Sequence, residues 1–162
     1  MPDLISNRIR SLGFTLPEPM RLPPDLVLPF QFCKVSGNRV LLSGHLPLEQ
    51  DGTIWPIKGK VGDSVSIEDA FKAAQQTTLA MLSTLERELG SLDRISQWLK
   101  VFGMVNTAPG FTDTARVVNG CSELLIQIFG SEIGSHTRSA VGFAEIPFGC
   151  PIEIEAELEI HP

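Results

Sequence analysis

The chain contains no tyrosine, so no phenolic hydroxyl is available to any site it builds. Basic residues are few: 13 Lys and Arg stand against 19 Asp and Glu, a net charge of −6. No run of them forms the stripe that phosphate contacts need, so nucleic acid is not an expected partner. The cysteines, Cys33, Cys121 and Cys150, are odd in number with no CxxC among them, and the three histidines are scattered. That argues against a disulfide framework or a local zinc motif and leaves reduced, buried thiols of the cytosolic kind. No apolar run approaches the roughly 18 residues that span a membrane, and nothing at the start reads as a signal peptide. A cytoplasmic protein without membrane contact is expected.

What the chain does have is 162 residues, 43% of them hydrophobic, enough for one domain with a sizeable core. The most informative stretch is 137–160, TRSAVGFAEIPFGCPIEIEAELEI. Its second half alternates apolar and acidic residues without a break, which predicts a strand with one buried and one polar face. Glu153, Glu155, Glu157 and Glu159 share that polar face and repel one another, so cations or water must lie nearby. Arg138, on the preceding run, is the expected cation. The two runs read as a hairpin through Pro147, Phe148, Gly149 and Cys150. Pairing Ile146 with Pro151 puts Arg138 opposite Glu159, Ala140 opposite Glu157 and Glu153 opposite Ala144, with Arg138 and the glutamates on one face. Arg138 and Glu153 then stand roughly 20 Å apart along the ladder, too far to meet within one chain but not between chains.

Upstream, residues 1–29 read as an arm packed on a domain of residues 30–162. The arm has a short helix closed by Gly13 and then a proline-dense extended segment. Residues 30–35 and 39–43 read as strands joined at Ser36-Gly37-Asn38, and Asp51-Gly52 marks a further turn. Ser66, three residues before Asp69, opens a helix that Gly90 closes. Its stripe of Ile67, Phe71, Ala74, Thr78, Met81, Leu82, Leu85 and Leu89 is expected to face the core. Residues 95–105 read as a long buried strand. A second helix is expected over 112–129, stopped by Gly130, with a stripe of Ala115, Val118, Cys121, Leu125, Ile128 and Phe129. Two helices cover only one face of such a sheet. The other face, half polar and half small, is expected to pack against copies of itself.

These residues resemble a known family. SGHLP after the first hairpin, VVNG early in the second helix, and TRSAVGFAEIP followed by PIEIEAEL are similar to the Rid proteins, the reactive intermediate deaminases also called YjgF-like or L-PSP proteins. The likeness covers roughly 26–160, and the longer arm and the VNTAPGFTD loop suggest a branch distinct from the best-known members. The resemblance implies an α+β, chorismate-mutase-like fold, with one mixed sheet covered on one face by two helices. It also implies a homotrimer whose sheets form a central barrel, with ligand clefts between subunits. Its active members hydrolyse enamines and imines to 2-oxo acids and ammonia with no metal or cofactor. Some members are labelled endoribonucleases, an activity the net charge here argues against.

By position, the resemblance gives Arg138 the substrate carboxylate, which a guanidinium fork suits. It gives Glu153 the water that adds to the imine carbon and the proton that goes to nitrogen. Ser43 and Gly44 are expected at the cleft. Phe30 stands where the family's deaminases have a tyrosine, and Ala140 where they have a cysteine two residues after the arginine. These departures keep carboxylate binding and leave open a non-catalytic, carboxylate-binding trimer. Asn119 reads as a helix residue bonding loop backbone, His45 and His136 as neither ligands nor bases, and Trp55 and Trp98 as core.

Overall fold

A computed structural model describes residues 4–162. Its three helices are α1 (Leu4–Ser11), α2 (Ile67–Leu89) and α3 (Thr114–Gly134). Its five strands are β1 (Cys33–Ser36), β2 (Arg39–His45), β3 (Ile95–Asn106), β4 (Thr137–Phe143) and β5 (Ile152–Ile160). The strands form one mixed sheet in the order β1-β2-β5-β3-β4.

Local chemistry accounts for most element ends. The Ser66 hydroxyl accepts the Asp69 N–H at 3.0 Å and opens α2. Gly90, at φ 80°, closes it in the left-handed region that glycine enters without penalty. α3 breaks at Gly130, where φ is 77° and ψ 167°, and one further turn carries it to Gly134. In the first hairpin Ser36 pairs with Arg39, leaving Gly37-Asn38 as a two-residue loop with Gly37 at φ 63°.

The alternation of β5 places its side chains as expected. Ile152, Ile154, Ala156, Leu158 and Ile160 are buried under the helices, and the four glutamates take the opposite face. α2 and α3 lie on the apolar face, joined by Val40, Leu42, Val101 and Val105 from the other strands.

The helix expected in the arm forms as α1 and joins the two long helices. Ile9 of α1 enters the main core. Beyond α1, the Pro17 carbonyl accepts the Ser83 hydroxyl at 2.6 Å, and the Glu18 and Arg21 N–H groups bond the Gln50 and Gly52 carbonyls, both at 2.9 Å. α2 is therefore covered from two sides, and residues 77–85 are all buried. A single core-facing stripe does not describe it.

The expected hairpin between the last two strands does not form. β3 lies between them, parallel to β4 and antiparallel to β5. β3, α3 and β4 make a crossover unit, whose return strand must run parallel to the first. The connection 144–151 then crosses the end of β3, where the Asn106 N–H and side-chain amide bond the Pro151 and Cys150 carbonyls at 2.9 and 3.2 Å. The register changes the faces as well. Arg138 stands beside Val101, which stands beside Ala156, so Arg138 lies on the helix side and not with the glutamates. The cation that reaches the acidic row is Arg39, 2.5 Å from Glu157. Among the described residues no helix is long and apolar enough to cross a membrane.

Candidate functional site

Arg138 sits on β4, an edge strand, and its side chain turns under the sheet toward α3. Nη1 donates to Ser122 Oγ at 3.0 Å and Nη2 to the Ala115 carbonyl at 3.3 Å. Ala115 and Ser122 are seven residues apart, two turns along one face of α3. Both acceptors are neutral, and among the described residues Arg138 forms no ion pair. Behind Ser122 stands His136, with Nε2 2.9 Å from Ser122 Oγ and Nδ1 2.8 Å from the Gly134 carbonyl. Burial lowers the His136 pKa, against the opposing effect of the Gly134 bond, and the Arg138 charge adds a smaller lowering.

The second group lies across the sheet on its open face. β2 carries an extra residue between Leu42, opposite Ala156, and His45, opposite Ile154. This bulge at Ser43-Gly44 lays the Gly44 backbone against Glu153. A β-carbon built on Gly44 would collide with the Glu153 carboxylate. Burial first, and the neighbouring Glu155 charge second, raise the Glu153 carboxyl above the ordinary range. The Ser43 hydroxyl donates to the Gln31 carbonyl at 2.7 Å. Phe30, before β1, is 51% exposed, packs edge-on against Phe32 and lines a hollow with Lys34, Leu41 and Ser43.

The chain thus brings Phe30 to Ser43 and Gly44 to Glu153, and holds Arg138 apart from Glu153. Ala140, packed against the main core, goes with Arg138. Through the register with β3, Arg138 and Glu153 are two strands and three residues apart on opposite faces, roughly 10 Å in each direction.

His45 is held between two hydrogen-bond partners. Nδ1 meets the Ser43 carbonyl at 2.7 Å and Nε2 the Thr84 hydroxyl at 2.9 Å. Burial pushes its pKa down to about 4. Asn119 lines a hollow between α2 and α3 with Phe71 and Arg116. Trp98 is buried and Trp55 packs against the core, both with indole N–H groups that find no protein acceptor. All three cysteines are free and buried. Among the described residues no three His, Cys, Asp or Glu side chains gather as a metal ion would need. Ser122 and its link to His136 escape a sequence reading. The only signal is the seven-residue spacing from Ala115, which is too common to single out.

A family model described as "YjgF/chorismate mutase-like, putative endoribonuclease" matches residues 8–154. Protein TCP17 of Trypanosoma cruzi is 36% identical over 126 residues, 78% of this chain and 78% of that protein. The crystal structure of Atu1372 from Agrobacterium tumefaciens, a protein of unknown function, is 35% identical with a TM-score of 0.85, covering 98% of this chain and 92% of that one. A structure from Shewanella oneidensis, named a putative endoribonuclease, has a TM-score of 0.87 over 96% of this chain and 99% of its own. At 23% identity that likeness speaks for the fold alone. By the extent of the model match and the identity to its relatives, this chain belongs to the YjgF/chorismate-mutase-like family, the Rid proteins that its own motifs resemble.

Proposed function

We propose that the protein hydrolyses small reactive imino or enamine acids to 2-oxo acids and ammonia, in clefts between copies of itself and without a cofactor. Arg138 carries this reading. Its guanidinium is oriented by Ser122 and the Ala115 carbonyl while its charge is left uncompensated. A planar carboxylate is the ligand that such a fork accepts, and substrate positioning would follow from it.

Glu153 supplies the chemistry. Its half-buried carboxyl, with a raised pKa, suits a group that must alternate between base and acid near neutral pH. It takes a proton from water as the oxygen bonds to the imine carbon, and passes that proton to the imine nitrogen. It then moves the proton of the new hydroxyl to the same nitrogen, the C–N bond breaks, and ammonia leaves a 2-oxo acid. Neither group completes a site within one chain, because they occupy different faces and strands. The open sheet face also exposes Leu41, Val141 and Phe143, beside the acidic row, to be covered by other copies. A homotrimer with these faces turned inward meets both needs.

The test is ammonia release from 2-iminobutyrate generated in place by a dehydratase. Acceleration by the wild type that disappears in Arg138→Ala, with assembly unchanged by sedimentation, supports the reading. Full activity in Arg138→Ala overturns it. One observation favours a second reading. Phe30 offers the hollow no hydroxyl, so a trimer that binds carboxylates without turning them over is the alternative. It predicts thermal protection by 2-oxobutyrate with no ammonia release.

A further inference from the structure

Arginine on an edge strand has much rotamer entropy to lose before it can grip a ligand in one geometry. Proteins commonly fix such a side chain with a carboxylate, which also cancels its charge. Here the fixing groups are a serine hydroxyl and a backbone carbonyl, and the proton inventory of the serine is determined by its other neighbour. The Gly134 carbonyl can only accept, so His136 Nδ1, 2.8 Å away, must carry the ring proton. In the neutral ring Nε2 is then bare and can only accept. The Ser122 proton therefore points to Nε2, and the lone pairs of Oγ are turned to Arg138 Nη1.

We infer that Ser122 and His136 are positioning residues for the anion-binding arginine: a one-way chain, Arg138 N–H to Ser122 O–H to His136 Nε2, that orients the guanidinium without neutralising it. This rests on the reading of Arg138 as the holder of the substrate carboxylate. Two of the five guanidinium N–H groups are committed to the scaffold, leaving three for a ligand. The same arrangement occurs once more in the fold, where the His45 Nδ1 bonds the Ser43 carbonyl, its Nε2 faces the Thr84 hydroxyl, and that hydroxyl accepts Arg87 Nη2 at 3.2 Å. In both places the histidine ring bonds the carbonyl two residues before it, and a helix hydroxyl passes its polarity to an arginine.

The decisive measurements are made on the full-length protein. ¹⁵N NMR of the His136 ring is expected to show Nδ1 protonated and Nε2 bare at pH 7.5, and the Nε2–H tautomer would overturn the inference. Phenylglyoxal modification of Arg138, followed by peptide mass spectrometry, is expected to speed up several-fold in Ser122→Ala and His136→Ala and to return toward the wild-type rate in Ser122→Thr. Unchanged rates in both alanine variants would overturn it. With 2-iminobutyrate, the alanine variants are expected to raise KM roughly tenfold, as loss of one hydrogen bond to a charged group implies, with kcat within about threefold. Equal loss in kcat with KM unmoved would overturn the positioning role. The NMR and modification arms need no turnover. If they hold while the wild type releases no ammonia, the chain stands and the proposed hydrolysis falls.

Discussion

The Glu153 carboxylate occupies the space that a β-carbon on Gly44 would take. A bulge on one strand and a glutamate on the next are thus fitted to each other, and the fit requires glycine. Gly44→Ala is expected to drive the carboxylate out of its place, lowering kcat for 2-iminobutyrate by at least tenfold at little cost in stability, because the end of a flexible glutamate can swing away. Steady-state kinetics and urea unfolding check both. Wild-type kcat in this variant would show that the position of Glu153 is unimportant.

Glu153 also makes a stability prediction of unusual sign. Its pKa is raised on folding, by burial first and Glu155 second. The folded state therefore holds the proton more tightly than the unfolded state. The contribution is favourable below the unfolded pKa and is lost as pH rises through the folded one. Glu153→Gln is expected to melt higher than the wild type at pH 8, with the gap closing toward pH 4, while ammonia release is abolished. A variant less stable at pH 8 would mean that the carboxylate has a favourable partner.

His45 behaves in the opposite sense. Its pKa falls from 6.5 to about 4 because burial disfavours the charged ring. The unfolded chain binds the proton first, so stability is lost as pH drops through this window. The loss is about 3 kcal/mol between pH 6.5 and 4 if no other group intervenes. Urea unfolding at pH 7, 5.5 and 4 should show a slope that is largely absent in His45→Gln. An equal slope in the variant would assign the acid sensitivity to other groups.

Where the sequence was legible, one local cause sufficed. Ser66 and Gly90 bound α2, Gly130 breaks α3, and the alternation of β5 sorts its residues to two faces. What alternation cannot state is which strand lies beside which. The 137–143 run alternates as well, but between arginine, alanine and glycine on one side and serine, valine and phenylalanine on the other. Neither set is plainly the core set. The α3 crossover decides it, placing β3 next to β4 and turning Arg138 toward Ser122. Joining charge to charge gave Arg138 the acidic row as its partner, and the fold gives it a neutral hydroxyl instead. The half of the site that depends on the bulge at Gly44 was named from the resemblance, although its geometry comes from a register slip that no residue announces.

The packing of the two long helices gives a check on the fold itself. Gly120 of α3 faces the Phe71 carbonyl of α2, and a β-carbon there would stand 3.1 Å from the β-carbon of Ala74 and closer still to the carbonyl oxygen. Backbone cannot yield as a flexible side chain does. Gly120→Ala is expected to push α2 and α3 apart at a cost of about 1–3 kcal/mol, even though alanine favours the helix itself by up to about 1 kcal/mol. Urea unfolding that showed the variant more stable than wild type would mean that the helices do not approach so closely.

The separation of Arg138 and Glu153 within one chain leads to the sharpest test of the proposed site. If each site takes its arginine from one copy and its glutamate from a neighbour, two inactive variants should repair each other. Arg138→Ala supplies an intact glutamate, and Glu153→Gln supplies an intact arginine. Co-refolded in equal amounts, they assort at random, and about one site in four receives both intact groups. Ammonia release should return to roughly a quarter of the wild-type rate, and the same proteins mixed without unfolding should stay inactive until subunits exchange. Phe143→Glu, which puts a charge on the open face where Phe143 stacks edge-on against Phe102, should prevent assembly and leave nothing to repair. If the co-refolded mixture stays inactive while sedimentation shows mixed oligomers, the two residues do not share a site across copies, and the hydrolytic mechanism must be rebuilt around one of them.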